Sequence, residues 1–251
     1  MKFLAALSFL TVIPLPRRRE VSPEQVGRSI GYFPVVGIII GLILAGLYWL
    51  LRLVLPSAVV SGLLLVCLVV LTGGLHLDGF VDTCDGIAGH KTPEARWQVM
   101  RDSRAGAFGI VGVCCLLIVK YVSLNSVPDS LMMMTLVLMP VVSRWAMVYA
   151  VFAYPYARPS GLGKVFKEMA SRRRLAIATL VALAVAIPWF RLAGLVIMLG
   201  VWIIVVAMAA YLKRKFSGLT GDTYGAINEV AEVGVLILVC LLAHNQWLGL
   251  A

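Results

Sequence analysis

Residues 29–51 read SIGYFPVVGIIIGLILAGLYWLL, 23 positions without a charged side chain. At 1.5 Å per residue, a helix that long measures about 35 Å, enough to cross about 30 Å of hydrocarbon. Residues 53–77 are again free of charge, so a second crossing is expected directly behind the first, with Arg52 at the turn between them. Further apolar stretches follow at 105–128, with Lys120 alone inside, and at 130–157, with Arg144 alone inside. Then come 175–190, 192–212 beyond Arg191, and 233–251. Composition agrees: 61% of the 251 residues are hydrophobic and 14% charged, against about 45–50% and about 25% in a soluble domain. Mean hydropathy is +0.96. A soluble enzyme, a disordered tail and a nucleic-acid-binding domain are thereby excluded as first readings.

The expected fold is all-α: a polytopic integral membrane bundle of about seven transmembrane helices, near 31–51, 57–77, 107–125, 131–153, 175–190, 193–212 and 227–247. Segments 78–106, 154–174 and 213–226 are read as cytoplasmic loops. Residues 1–28 are read as an N-terminal interfacial segment. Its apolar start ends at Pro14 and Pro16, and most of its positive charge follows the apolar run, the reverse of a cleaved signal. The basic residues fix the orientation. With the N-terminus inside, eighteen of the 22 Lys and Arg fall on the cytoplasmic side and only Arg52 and Arg191 outside, the asymmetry that short cytoplasmic loops retain. The net charge of +10 is therefore read as topology and not as affinity for nucleic acid. Five cysteines (Cys67, Cys84, Cys114, Cys115, Cys240) form no CxxC pair and are read as small hydrophobes.

The acids do not follow the charge asymmetry. Eight of the twelve lie in two short regions, 78–102 (Asp78, Asp82, Asp85, Glu94 and Asp102) and 222–232 (Asp222, Glu229 and Glu232), both on the cytoplasmic side. The first region opens with GGLHLDGFVDTCDG (73–86). On a helix, Asp78, Asp82 and Asp85 stand at i, i+4 and i+7 and share one face. Three carboxylates that repel one another make sense around a divalent cation, and hard oxygen ligands suit Mg²⁺ or Mn²⁺. His76 is a candidate ligand or base. The next stretch, MRDSRAGAFG (100–109), brackets Asp102 with Arg101 and Arg104 at a helix start, an arrangement suited to phosphate. The third, GLTGDTYGAINEVAE (218–232), carries Asp222, Asn228, Glu229 and Glu232 at the start of the last span. Lys120 is read as snorkelling near the outer end of its span. Arg144 lies nine residues inside Ala153, about 13 Å deep, and should face the interior and pair with an acid or a phosphate. Lys164 follows Gly161-Leu162-Gly163, where backbone can approach a phosphate.

Carboxylate-bound metal with arginines suits phosphoryl transfer. Enzymes of the CDP-alcohol phosphotransferase kind use that logic with a DxxDG…AR…GxxxDxxxD pattern; this chain carries DGxxDxxDG and then RDSRxG. A secondary transporter and a scaffold for other membrane enzymes are the remaining alternatives. A transporter site would sit near the bilayer midplane, commonly between repeats; here the acids stand at helix ends and no repeat is evident.

The strings 73–86 and 100–109 resemble the cobalamin synthase family, the adenosylcobinamide-GDP ribazoletransferases. Lys120, Ser143-Arg144, Gly161-Leu162-Gly163, GLTGDTYGAINE (218–229) and the Pro14-Leu15-Pro16 and Tyr32–Gly37 stretches extend the likeness over most of the chain. The resemblance implies an Mg²⁺-dependent enzyme of the bacterial cytoplasmic membrane that joins adenosylcobinamide-GDP to α-ribazole or its 5′-phosphate and releases GMP. In that frame Asp78, Asp82 and Asp85 bind Mg²⁺, and Asp102 completes the metal site or takes the proton from the ribazole 3′-hydroxyl; His76 and Asp85 are the other candidate bases. Arg101, Arg104 and Arg144 hold phosphate oxygens, Lys120 and Lys164 are further substrate-binding candidates, and Asp222, Asn228 and Glu229 position a substrate or a second metal. Membrane lipid is an expected partner; a homo-oligomer or association with other corrinoid-pathway enzymes is left open.

Overall fold

The structure, a computed structural model, describes residues 2–14, 22–88 and 92–247. Arg17, Arg18, Arg19 and Lys91, counted above for topology, lie outside the described residues. Twelve α-helices are described, and the fold is an all-α polytopic membrane bundle. α1 (Lys2–Leu10) and α2 (Pro23–Arg28) precede a 3₁₀ turn, Ile30–Tyr32, that runs into α3 (Phe33–Leu51). α4 (Ser57–Leu71), α5 (Leu75–Ile87) and α6 (Pro93–Val99) lead to α7 (Ala107–Asn125) and α8 (Asp129–Ala153). α9 (Leu162–Met169), α10 (Arg172–Phe190), α11 (Leu192–Phe216) and α12 (Gly221–His244) complete the chain.

Six of these are long and apolar enough to cross a membrane: α3 with its 3₁₀ turn, α7, α8, α10, α11 and α12. α8 stands at the centre with nearly every side chain from Leu131 to Val151 buried, including Pro140. Around it, Val66, Ile118, Leu180, Leu199 and Ile203 point outward, an apolar surface suited to lipid. α1 is docked on the bundle: Ala5, Ala6, Leu7 and Leu10 are buried, while Leu4 stays exposed.

The uninterrupted 57–77 span expected from charge counting is instead two helices, α4 and α5, meeting at an angle of 89°. The break is Thr72-Gly73-Gly74. Gly73 and Gly74 adopt φ of 62° and 67°, the left-handed region that glycine enters freely. Their amides return to Val70 and Val69 carbonyls at 3.0 Å, a glycine cap that ends α4. The physical reason for the turn lies beyond it. α5 carries Asp78, Asp82 and Asp85, and the turn lays this helix against α12 and the start of α7, where Gly79 and Asp85 meet close backbone partners. We therefore read α4 as the crossing and α5 as lying across the end of the bundle.

Three contacts hold α5 there. Gly79 lies against the backbone of α12, where an added Cβ would be 2.7 Å from the Asp222 carbonyl oxygen; small residues let helices approach this closely. The buried Arg96 of α6 donates through Nη1 to the Gly86 and Ile87 carbonyls at 2.8 and 2.6 Å, satisfying the open C-terminal end of α5. Asp85 accepts the backbone N–H groups of Gly106 and Gly109, at 2.7 and 2.8 Å, and so closes the N-terminus of α7.

Candidate active site

The α8–α9 and α11–α12 loops are tied by a short parallel bridge. Ala157 N–H donates to the Leu219 carbonyl and Leu219 N–H to the Pro155 carbonyl, both at 2.8 Å. The tie carries Arg158 over the start of α12, where its Nη2 lies 2.8 Å from Asp222 Oδ2. Thr220 caps α12, its hydroxyl accepting from Thr223 N–H at 3.2 Å. Asp222 thus meets the face of α5 that presents Asp78 and Asp82. Burial first, and then the neighbouring charges of Asp78 and Asp222, push the Asp82 carboxyl up to about 7, against a small opposing pull from Arg158.

Beside these acids is a cavity of about 370 Å³. It is lined by the polar residues Asp78, Asp222, Arg101, Arg158, His76 and Tyr224 and by the apolar residues Phe9, Phe33, Phe166, Met147 and Val151. Both ring nitrogens of His76 and the Tyr224 hydroxyl are buried without a protein hydrogen-bond partner, as is Arg158 Nε.

Among the described residues, no three His, Cys, Asp or Glu side chains form a ready-made metal-holding group. The donors fit Mg²⁺ on other grounds. That ion takes one or two carboxylates and completes its shell with water and substrate phosphate. Asp78 and Asp82 are hard oxygen donors whose crowding a cation would relieve. Asp85 stands on the same helix, with each carboxylate oxygen already accepting an α7 amide. Its replacement should act as the loss of a helix cap. Asp85→Ala is expected to cost about 1 kcal/mol of stability, read as a lower Tm of the detergent-purified protein.

The other expected site residues stand elsewhere. Asp102 and Arg104 form a bidentate pair on an exposed loop, and the arginine's hydrogen bonds hold the Asp102 carboxyl down to about 2. Neither residue lines the cavity, although Arg101 beside them does. Lys164 points to the Pro159 carbonyl at 2.8 Å. Lys120, read as snorkelling, is fully buried. Its Nζ lies 2.5 Å from Glu229 Oε2 and 2.6 Å from Glu232 Oε2. Glu232 also pairs with the buried Arg144 and accepts from Asn228 Nδ2 at 3.2 Å. Two cations and two anions are thus joined inside the bundle across α7, α8 and α12, so Lys120, Arg144, Asn228 and Glu229 serve one another and do not line the cavity.

Arg158, Tyr224 and the three phenylalanines were not singled out in the sequence. The phenylalanines come from α1, α3 and α9, and no local spacing links them. Arg158 lay in a basic loop where membrane anchoring explained every charge. Its only local signal was Pro155-Tyr156-Ala157-Arg158-Pro159, a proline-bounded segment stiff enough to hold a side chain in place.

Comparison with known proteins adds a separate finding. A sequence profile described as cobalamin-5-phosphate synthase matches residues 2–240. An adenosylcobinamide-GDP ribazoletransferase of Roseiflexus sp. (strain RS-1) is 38% identical over 244 residues, 97% of this chain and 91% of that protein. The enzyme of the same name from Syntrophobacter fumaroxidans is 40% identical over 240 residues, 93% of this chain and 96% of its own length. That of Desulforamulus reducens is 35% identical over 237 residues, 94% of each chain. No solved structure matches the chain.

Proposed function

The chain belongs to the cobalamin-5-phosphate synthase family, and from that premise we propose that it transfers the cobinamide phosphate of adenosylcobinamide-GDP to α-ribazole or its 5′-phosphate and releases GMP. It is a transferase of cobalamin synthesis built as a multi-pass membrane bundle. The observation that carries the finer reading is the mixed lining of the cavity, where carboxylates and arginines occur together with an aromatic cluster, which suits a charged diphosphate and an acceptor that carries an aromatic base.

In this reading the 3′-hydroxyl of ribazole attacks the phosphorus that bears the cobinamide. The new P–O bond forms, the bond to the bridging anhydride oxygen breaks, GMP departs and the hydroxyl proton is lost. Asp78 and Asp82 would hold Mg²⁺, which supplies charge neutralisation on the diphosphate. Arg158 and Arg101 hold phosphate oxygens, Arg158 being kept in place by Asp222. Asp102, committed to Arg104, is poorly suited to take the proton. His76 lines the cavity with both ring nitrogens unpartnered. Since burial and then the Arg144 charge hold its imidazole down to about 3, it serves as a neutral hydrogen-bonding group to the substrate and not as the base. In this reading the bundle end that carries α5 faces the cytoplasm, which the distribution of Lys and Arg supports. The transporter alternative would need an acid free to bind cargo within the bundle, and Glu229 and Glu232 are both engaged by Lys120.

The test is GMP release by the full chain in lipid nanodiscs supplied with adenosylcobinamide-GDP and α-ribazole 5′-phosphate. Release should need both substrates and Mg²⁺ and stop in EDTA. Release without the ribazole would mean hydrolysis; substrate movement in sealed vesicles without GMP would favour a transporter.

A further inference from the structure

We infer that the part of the cavity lined by Phe9 and Phe166, backed by the buried Phe33, receives the base of the ribazole acceptor, and that His76, Tyr224 and Arg158 hold its sugar and phosphate. The inference rests on the transferase reading and assigns one half of the site to one of its two substrates.

The three rings pack against one another, so a ligand meets their cavity face and does not enter between them. Centroids are 6.0 Å apart for Phe9 and Phe33, 5.1 Å for Phe9 and Phe166, and 5.4 Å for Phe33 and Phe166. Met147 and Val151 of α8 extend the apolar wall. At about 370 Å³ the cavity is the size of a small-ligand pocket and far too small for a corrin macrocycle. Two aromatic bases compete for it, the guanine of the donor and the dimethylbenzimidazole of the acceptor. Guanine carries donors and acceptors on its edges, which lose their water when buried against phenylalanine and methionine. The six-membered ring of dimethylbenzimidazole presents only carbon and methyl groups at its edge. That edge suits the cavity face of Phe9 and Phe166.

The same cavity also asks for polar ligand groups. His76 is 2% exposed and Tyr224 is 2% exposed, yet neither ring nitrogen of His76 nor the Tyr224 hydroxyl has a partner. Buried polar groups left unpaired are costly, and a ribose supplies hydroxyls that both donate and accept. Arg158, with Nε unpartnered beside the same cavity, suits a 5′-phosphate. A base against Phe9 and Phe166 would leave its sugar between those polar groups and the Asp78–Asp82 face of α5, where the reacting phosphate is proposed to lie.

Phe166→Ala in the full-length protein, in nanodiscs, tests this. KM for α-ribazole 5′-phosphate should rise about tenfold or more, the loss typical of a truncated aromatic stacking partner, with KM for adenosylcobinamide-GDP unchanged. Binding of α-ribazole alone, followed by benzimidazole fluorescence with no donor present, should weaken in parallel. Because Phe166 is buried, Leu162→Trp provides a second variant. Leu162 lines the same cavity from a more exposed position, 38%, and its enlargement should also raise only the ribazole KM. A rise in donor KM instead would place guanosine against Phe166 and overturn the assignment, as would folded variants with both KM values unchanged. If the wild type released no GMP but bound ribazole in a Phe166-dependent way, the transfer reaction would fall and the pocket assignment would stand. Transfer without any effect of either variant would do the reverse.

Discussion

Asp82→Asn is expected to give a folded protein that no longer releases GMP, with activity lower by about a hundredfold or more, as for loss of a group that organises charge on the reacting phosphate. The same substitution should change how stability depends on pH in EDTA. Burial and the charges of Asp78 and Asp222 raise the Asp82 carboxyl from an ordinary 3.8 to about 7 in the folded protein. The folded state therefore holds this proton more tightly than the unfolded chain does. The resulting stabilisation is full below about pH 4 and is lost as pH climbs through about 7. Tm of the wild type without metal should fall across that window by more than Tm of Asp82→Asn, and Mg²⁺ should restore the wild type alone. Wild-type turnover by the variant, or parallel Tm curves, would remove Asp82 from the metal site.

Glu232→Ala is expected to be among the most damaging single substitutions in the bundle. It leaves Lys120 and Arg144 buried with Glu229 as their remaining anion. Removing one partner from a buried ion pair costs about 3–5 kcal/mol. The readout is folded yield and Tm in detergent. Arg144→Met placed on Glu232→Ala should recover part of the loss, since it removes a stranded charge. A double variant as unstable as the sum of the two single ones would show that the residues do not act as one network.

What could be read from the sequence depended on whether the signal was local. The limits of α7, Ala107–Asn125, coincide with those expected from its apolar run. The helical spacing of Asp78, Asp82 and Asp85 was evident because period alone reveals a shared face. Counting charges passed over Gly73-Gly74, since glycine is uncharged and apolar scoring cannot register a left-handed turn. Lys120 was misread for a related reason. Its position near a helix end suggests snorkelling, and only the packing of α7 against α12 brings it to Glu229 and Glu232. The cavity was beyond reach: Phe9, Phe33, Phe166 and Arg158 belong to four separate segments, and tertiary packing alone assembles them.

α4 has 15 residues, a rise of about 22 Å against about 30 Å of hydrocarbon. The turn at its far end presents Leu53 and Val54 to the surroundings, so that end is itself at ease among acyl chains. The shortfall leaves α5 sunk beneath the headgroups or the leaflet pinched down to meet it. Either way α5 and its carboxylates would sit in a dimple, wetted from one side and walled by lipid on the other. Turnover should accordingly be sensitive to acyl-chain length, highest in thin bilayers and declining as thicker ones stretch the seam between α4 and α5.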